Sequence, residues 1–286
     1  MPDVDAATTF VWTHARVLDR HRFAHRFLGA PAEPVLAALA AYATGDGGYG
    51  HALEPDLRGP DAQIGAMETA LSVLAEVDAL DGPEGRAAIG WLERIAPDGG
   101  VPFMLPSGLR FPRAPWWQTD PDPPGSLVAT GFVADALLGG GVRHPWLDRA
   151  AEWCWREIEA AESLAPYGAR GALAFLDATP DAERAQRALA RLAPLVDAVV
   201  TRDLDGSGEH HGPLDLSPRP DGRSRALFPA ELVAAQLDHL AAAQQDDGGW
   251  PWRAADWSPA ATAEWRGIVT LEALTTLRDH GRLDAS

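Results

Sequence analysis

Two segments of the sequence combine carboxylates and arginines at short spacing. In the first, YGHALEPDLRGPDAQ, Glu54 and Asp56 come shortly before Arg58. In the second, AEWRG, Glu264 comes two residues before Arg266. Carboxylates that share a partly dry cleft raise one another's pKa, so one of them can act as a general acid near neutral pH. The alternative is that each arginine pairs with its neighbouring carboxylate and pins a loop, and the sequence leaves both interpretations open.

Aromatic and imidazole side chains supply the candidate ligand-binding groups. Trp116 and Trp117 are adjacent in a long proline-rich segment, residues 103–126, where they could cover an isoprenoid or a sugar ring. His210 and His211 are also adjacent, and neighbouring side chains of an extended chain point in opposite directions, which disfavours a shared metal. We predict no metal and no cofactor, and an acid–base or hydrogen-bonding role for one histidine. The predicted catalytic residues are Glu54, Asp56 and Glu264, and the predicted substrate-binding residues are His51, Arg58, Trp116, Trp117, His211, Trp257, Trp265 and Arg266.

The composition narrows the kind of partner. The 286 residues are 46% hydrophobic and carry a formal net charge of −17, and all 24 basic residues are arginine. This charge argues against nucleic acid and anionic lipid and favours a small-molecule substrate. No apolar run is long enough to cross a membrane, and the segment MPDVDAATTF lacks the features of a secretory signal. The single cysteine, Cys154, excludes an internal disulfide, and we expect a cytoplasmic protein.

A short glycine motif recurs along the chain. Three copies of Asp-Gly-Gly are each followed by a hydrophobic residue, at 46–49, 98–101 and 247–250, and a weaker copy lies at 205–208. The first two copies start 52 residues apart and the next two 149 apart, close to three such periods. A fixed period of this length is typical of repeat architectures.

Helical patterns flank each copy of the motif. Apolar residues recur at three- and four-residue steps in 32–44, 85–97 and 229–245 before the turns, and in 61–77, 126–138 and 267–281 after them. Further helices are predicted at 8–28, 146–162, 168–177 and 181–200. Strand-like alternation is nearly absent, so we predict an all-α fold. Helical hairpins of this kind bury their apolar faces only against neighbouring hairpins. We therefore predict that five or six of them close into a single α/α toroid spanning residues 1–286.

The last repeat also carries a family resemblance. Its Gln244, Gly248 and Trp250 resemble the Q-x(2–5)-G-x-W repeat of squalene–hopene and oxidosqualene cyclases, and DGG-aromatic turns also occur in protein prenyltransferase β subunits. The chain is similar to a compact member of this terpenoid-cyclase and prenyltransferase α/α-toroid superfamily. Only the last copy keeps the glutamine, since Ala43 and Ile95 stand at the corresponding positions of the first two.

The resemblance implies an enzyme that closes around a hydrophobic, isoprenoid-type substrate in a central cavity lined by aromatic residues. The 11 tryptophans fit that function. However, the sequence has neither the Asp-x-Asp-Asp acid of cyclases that start by protonation nor a DDxxD string. Whether the protein is an enzyme therefore stays open. The alternatives are a carbohydrate-active α/α-toroid hydrolase or lyase with paired carboxylates and a non-catalytic ligand- or protein-binding module.

The position of the motifs adds two expectations. Because glycine adopts positive φ at little cost, the DGG-aromatic turns are interpreted as structural, with Trp250 packed between helices. The helices after the DGG turns are expected to be the inner helices of the toroid, and the loops that precede them to surround one opening of its central cavity. Closure of the toroid would bring Glu54, Asp56 and Arg58 near Glu264 and Arg266 there.

Overall fold

A computed structural model describes residues 2–203 and 209–283. Sixty per cent of the described residues are helical, and they form no strand, only isolated bridges such as Leu57 with Arg113. The all-α prediction is confirmed. The weaker motif copy at 205–208 lies outside the described residues. No helix in the described part of the chain is both long and apolar enough for a membrane crossing.

The helices follow one another along the described chain, and their connections range from a few residues to long loops. They are α1 (Val4–His14), α2 (Val17–Leu28), α3 (Glu33–Leu39), α4 (Ile64–Glu76), α5 (Pro83–Ile95), α6 (Leu127–Gly139), α7 (Pro145–Ala160), α8 (Pro166–Ala178), α9 (Ala182–Asp197), α10 (Pro213–Leu216), α11 (Ala230–Ala242) and α12 (Pro259–Asp279). Short 3₁₀ helices cover Ala40–Tyr42, Pro106–Arg110 and Arg223–Leu227.

The chain divides into two compact units. One unit consists of residues 1–38 together with 200–286, and the other of residues 39–199. The single domain over 1–286 stays a prediction.

In the unit of residues 39–199, three largely apolar helices pack side by side. Helix α6 contacts both α4 and α8, and the amphipathic helices α5, α7 and α9 pack against α4, α6 and α8. The contact between α6 and α8 is made by backbone, since a Cβ at Gly131 would lie 2.2 Å from the carbonyl oxygen of Gly171. This approach places the residues beside the two glycines, Phe132 and Arg170, on neighbouring helices.

Two DGG turns belong to this unit, and each is covered by a tryptophan of the next amphipathic helix. Trp91 of α5 lies over Gly48, and Trp153 of α7 lies over Gly100. The indole N–H of Trp91 also donates to Oδ2 of Asp46 at 3.1 Å. In both turns the second glycine therefore packs against a tryptophan ring of a later helix, and in the first turn the aspartate also accepts a hydrogen bond from that ring.

The third DGG turn lies in the other unit and has the same construction. Gly248 has φ of +89°, like Gly47 and Gly99 at the equivalent positions, and Phe10 of α1 covers the glycine that follows it. The Gln244 side chain accepts the backbone N–H of Asp3 at 2.6 Å and donates to its carbonyl oxygen at 2.8 Å. The glutamine of the cyclase-like motif thus ties the start of α1 to the last turn.

The region predicted as one helix at 8–28 is two helices in the structure. Ala15 and Arg16 adopt extended backbone between α1 and α2. The Arg16 guanidinium pairs with the buried Asp19 in the first turn of α2 at 2.7 Å. Ala15 also packs closely on Gly267 of α12, so the break seats the later helix against the first two.

Candidate active site

The loop with the first predicted carboxylates is held by backbone hydrogen bonds to the long proline-rich loop. The carbonyl oxygen of Asp56 accepts the N–H of Ala114 at 2.9 Å, and the N–H of Arg58 donates to the carbonyl of Pro112 at 3.1 Å. Arg58 also donates from Nη1 to the carbonyl of its own loop at Pro55, at 3.3 Å. Both predicted residues therefore contribute to fixing the two loops together.

Glu54 lies in the loop before α4, and its side chain is buried beside the first turn of that helix. Its Oε1 accepts the N–H of Asp56 at 3.2 Å. A Cβ at Gly65 would lie 3.2 Å from both Cγ of Glu54 and Cη2 of Trp117, so both side chains rest on this glycine in the first turn of α4. The Trp117 ring in turn stacks on Phe103, with centroids 4.6 Å apart and 7° between the planes. The Glu54 carboxylate and the stacked pair of Trp117 and Phe103 thus lie next to each other beside the first turn of α4.

One turn further along α4 lies Glu68, a half-buried carboxyl in a largely apolar helix. Burial raises the pKa of Glu68 well above its ordinary value, and the negative charge of Glu54 raises it further. The positive charge of Arg170 opposes these effects without cancelling them. Glu68 therefore holds its proton at pH values where an ordinary carboxyl has lost it, which is the property of a general acid.

The positive charge that acts on Glu68 is that of Arg170 on α8. Its guanidinium carbon lies 5.7 Å from the ring centroid of Phe132 and 5.4 Å from that of Tyr167. Its Nε is buried and has no hydrogen-bond partner among the described residues. The cluster of Glu54, Glu68 and Arg170 with its flanking aromatic rings is called the Glu68 cluster below.

Two other predicted binding residues lie at the surface of the same unit. His51 is exposed and has φ of +54°, a conformation that is uncommon for a residue with a side chain. It lines an open groove of about 610 Å³ together with Asp46, Asp61 and Arg110. Trp116 has 45% of its surface exposed, whereas the adjacent Trp117 is buried.

The second predicted carboxylate segment belongs to the unit of 1–38 and 200–286, and its loop assignment is wrong. Helix α12 begins at Pro259, so Glu264, Trp265 and Arg266 lie within the helix rather than in the loop before it. A proline at the first helical position is favourable, because its missing N–H would have no helical partner there. Arg58 and Arg266 therefore occupy different structural positions.

Arg266 pins the last DGG turn, with a different carboxylate from the one its sequence position suggests. Its Nη1 and Nη2 donate to the two carboxylate oxygens of Asp247 at 2.8 and 2.9 Å, and Nη2 also donates to Oε1 of Gln245 at 2.7 Å. The guanidinium hydrogen bond lowers the pKa of Asp247. The guanidinium also lies 4.7 Å from the Phe10 ring centroid, so this arginine supports the turn structurally.

The remaining predicted binding residues of this unit are partly or fully buried. Trp265 stacks on Trp252 with centroids 4.4 Å apart, and its indole nitrogen is buried without a hydrogen-bond partner among the described residues. Trp257 is half-buried in the segment before α12. His211 is buried, and its backbone N–H donates to the Thr201 hydroxyl at 3.0 Å.

The structure brings some of the predicted site residues together within one unit. Glu54 and Trp117 meet at Gly65, with Asp56 bonded to Glu54. Glu264 belongs to the other unit, and its approach to Glu54 across one mouth stays a prediction.

Sequence reasoning did not assign Glu68 or Arg170 to the site. The available signal for Glu68 was an acidic residue inside the apolar run IGAMETALSVLAE. For Arg170 the signal was an arginine among the small residues of YGARGALA.

The protein is similar to known proteins in structure but not in sequence. No family model matches the chain, and no curated protein matches it in sequence. A solved protein from Actinoplanes is similar with a TM-score of 0.57 and 18% identity, over 96% of this chain and 89% of that one. The type II terpene cyclase MstE from Scytonema, solved without ligand, is similar with a TM-score of 0.54 and 14% identity, over 97% of this chain and 88% of that one. The fold is therefore terpene-cyclase-like, consistent with the predicted α/α-toroid class.

Proposed function

We propose that the protein is a type II terpene-cyclase-like enzyme, in which Glu68 is the acid that starts cyclisation of a hydrophobic, isoprenoid-type substrate. The observation that carries the proposal is the half-buried Glu68 carboxyl, whose pKa is raised by burial and by Glu54. The likeness of fold to a type II terpene cyclase supports the reaction class. This acid takes the place of the Asp-x-Asp-Asp motif that the sequence lacks.

The chemical step follows from the protonated carboxyl. Glu68 delivers its proton to one carbon of a substrate alkene, whose π electrons form the new C–H bond and leave a carbocation at the other carbon. A second alkene of the same substrate closes the ring, and loss of a proton from carbon ends the reaction. The product is an isomer of the substrate, and water returns a proton to the Glu68 carboxylate.

The neighbouring residues have distinct roles in this proposal. Glu54 is a positioning residue, because its negative charge keeps the proton on Glu68 until substrate is bound. Asp56 holds Glu54 through its backbone N–H. The stacked rings of Trp117 and Phe103 offer their faces to positive charge on the substrate, an attraction that strengthens as water is excluded.

A carbohydrate-active enzyme is the second candidate, and the same two carboxylates favour it. Glycoside hydrolysis pairs a carboxyl of raised pKa with an ionised carboxylate, and Glu68 with Glu54 fits those roles. The two candidates differ in their products, since a hydrolase adds water across a glycosidic bond and a cyclase gives an isomer.

Incubation in D₂O with linear polyenes tests the proposed function. We expect the purified protein to convert at least one of farnesol, geranylgeraniol, their carboxylic acids or squalene into a cyclic isomer. Because the acid is replenished from solvent, each product molecule should carry one deuterium on carbon, detected by mass spectrometry. Products without deuterium, or no isomer from any of these substrates, would contradict the proposal. Release of reducing ends from a panel of oligosaccharides would favour the hydrolase instead.

A further inference from the structure

Arg170 differs from Arg266 and Arg16 in its hydrogen-bond partners. Arg266 and Arg16 each pair with a carboxylate at hydrogen-bond distance, in a chain that holds 41 acidic residues. Arg170 has no such pair among the described residues, and its buried Nε has no acceptor. Burying an N–H donor without an acceptor is costly, so the Nε of Arg170 points to an acceptor that arrives with a ligand.

The surroundings of Arg170 define what kind of acceptor would fit. The guanidinium lies over the rings of Phe132 and Tyr167, which attract its positive charge. Tyr167 has 40% of its surface exposed, so this edge of the Glu68 cluster lies at the protein surface. A planar guanidinium presents paired N–H donors that match the two oxygens of a carboxylate.

The charges nearby favour a single negative charge on the ligand. Arg170 is the cation that acts on Glu68, and Glu54 is the neighbouring anion. A carboxylate bound to Arg170 balances the guanidinium one to one. A diphosphate carries more negative charge than the single guanidinium of Arg170 balances, and it would place that charge near Glu54.

We infer that Arg170 is a substrate-binding residue and that the substrate is an amphiphile, an isoprenoid chain that ends in a carboxylate. The inference rests on the proposed function, because it assigns the head group of the substrate that Glu68 protonates. The carboxylate pairs with Arg170 on α8, and the apolar chain extends along the aromatic rings toward Glu68 on α4. Binding of the head group thus fixes which alkene reaches the acid.

Equilibrium binding tests this inference without requiring turnover. Farnesoic acid and farnesol share the same chain and differ in the head group, and quenching of tryptophan fluorescence can report their binding. We expect the native protein to bind the acid at least about tenfold more tightly than the alcohol, as a charge-assisted hydrogen bond allows. Arg170→Met, which keeps an apolar side chain between Phe132 and Tyr167, should bind both with nearly equal Kd. Arg170→Lys should keep part of the preference.

Two controls separate a binding role from a structural one. Arg156→Met changes an exposed arginine on α7 of the same unit and should leave the acid-to-alcohol ratio unchanged. The Lys variant serves if the Met variant fails to fold by circular dichroism. Equal binding of acid and alcohol to the native protein, an unchanged preference in both Arg170 variants, or tighter binding of farnesyl diphosphate than of farnesoic acid would overturn the inference. Acid binding without cyclisation would leave the inference standing and contradict only the proposed function.

Discussion

Glu68→Gln is expected to lower the rate of cyclisation by about 10²–10⁴-fold, the usual contribution of a positioned general acid. The amide has nearly the shape of the carboxyl but carries no acidic proton, so substrate binding should change much less than turnover. The measurement is the initial rate of deuterium-labelled product formation with any polyene that the native protein converts, together with its Kd.

Glu157→Gln is the matched control for this substitution. Glu157 is an exposed glutamate on α7 in the same unit, and its replacement should leave the rate within a factor of about two, as for surface changes away from a site. Retention of more than a tenth of the native rate by the folded Glu68→Gln variant would show that another group donates the proton. In that case Glu54 and Glu264 become the residues to replace next.

Trp250→Ala is expected to lower the free energy of unfolding by ~3–5 kcal/mol, as truncation of a large buried aromatic usually does. The ring is 2% exposed, and its indole N–H donates to the carbonyl of Leu240 at 2.7 Å. Its backbone N–H donates to the Thr270 hydroxyl at 2.9 Å, which ties the turn to α12. Urea unfolding followed by circular dichroism measures the loss.

Trp116→Ala provides the comparison, because Trp116 is exposed and its removal should cost less than about 0.5 kcal/mol. If Trp250→Ala left the unfolding midpoint unchanged but abolished ligand binding, the structural interpretation of the DGG-aromatic turn would be wrong. The buried ring and its indole hydrogen bond predict the opposite pattern.

Local patterns were sufficient to predict most of the helices, but not the break at Ala15 and Arg16 or the start of α12. Apolar periodicity indicated α4, α6 and α11, and the glycine turns indicated where the chain reverses. Positive φ at the central glycine of each turn is a property of the motif itself, so its structural role could be inferred from sequence.

The site depended on contacts that local patterns do not encode. Arg170 lies beside Phe132 because α6 and α8 approach backbone to backbone at Gly131 and Gly171, a contact between residues 40 apart in the chain. Its effect on the pKa of Glu68 reaches a third helix, α4. Arg266 has a carboxylate two residues away in sequence but binds Asp247, since α12 packs beside the last turn. Pairing by proximity in sequence fails where the helices decide which side chains meet.

The pH dependence of stability tests most directly whether Glu68 keeps its proton. A carboxyl whose pKa is raised by folding binds its proton more tightly in the folded protein than in the unfolded chain. Below the ordinary glutamate pKa of ~4.3 both states are protonated, and Glu68 costs nothing through its charge. As the pH rises from there toward the raised pKa, the unfolded chain ionises first, so the native protein loses stability at ~1.4 kcal/mol per pH unit relative to Glu68→Gln.

The measurement is the difference in free energy of unfolding between Glu68→Gln and the native protein, taken by urea titration from about pH 4 to pH 8. The account predicts that the variant becomes steadily more stable than the native protein as the pH rises, until Glu68 ionises in the folded state and the difference levels off. A difference that does not change with pH, or a native protein that gains stability over the variant as the pH rises, would contradict a protonated Glu68 and with it the proposed acid.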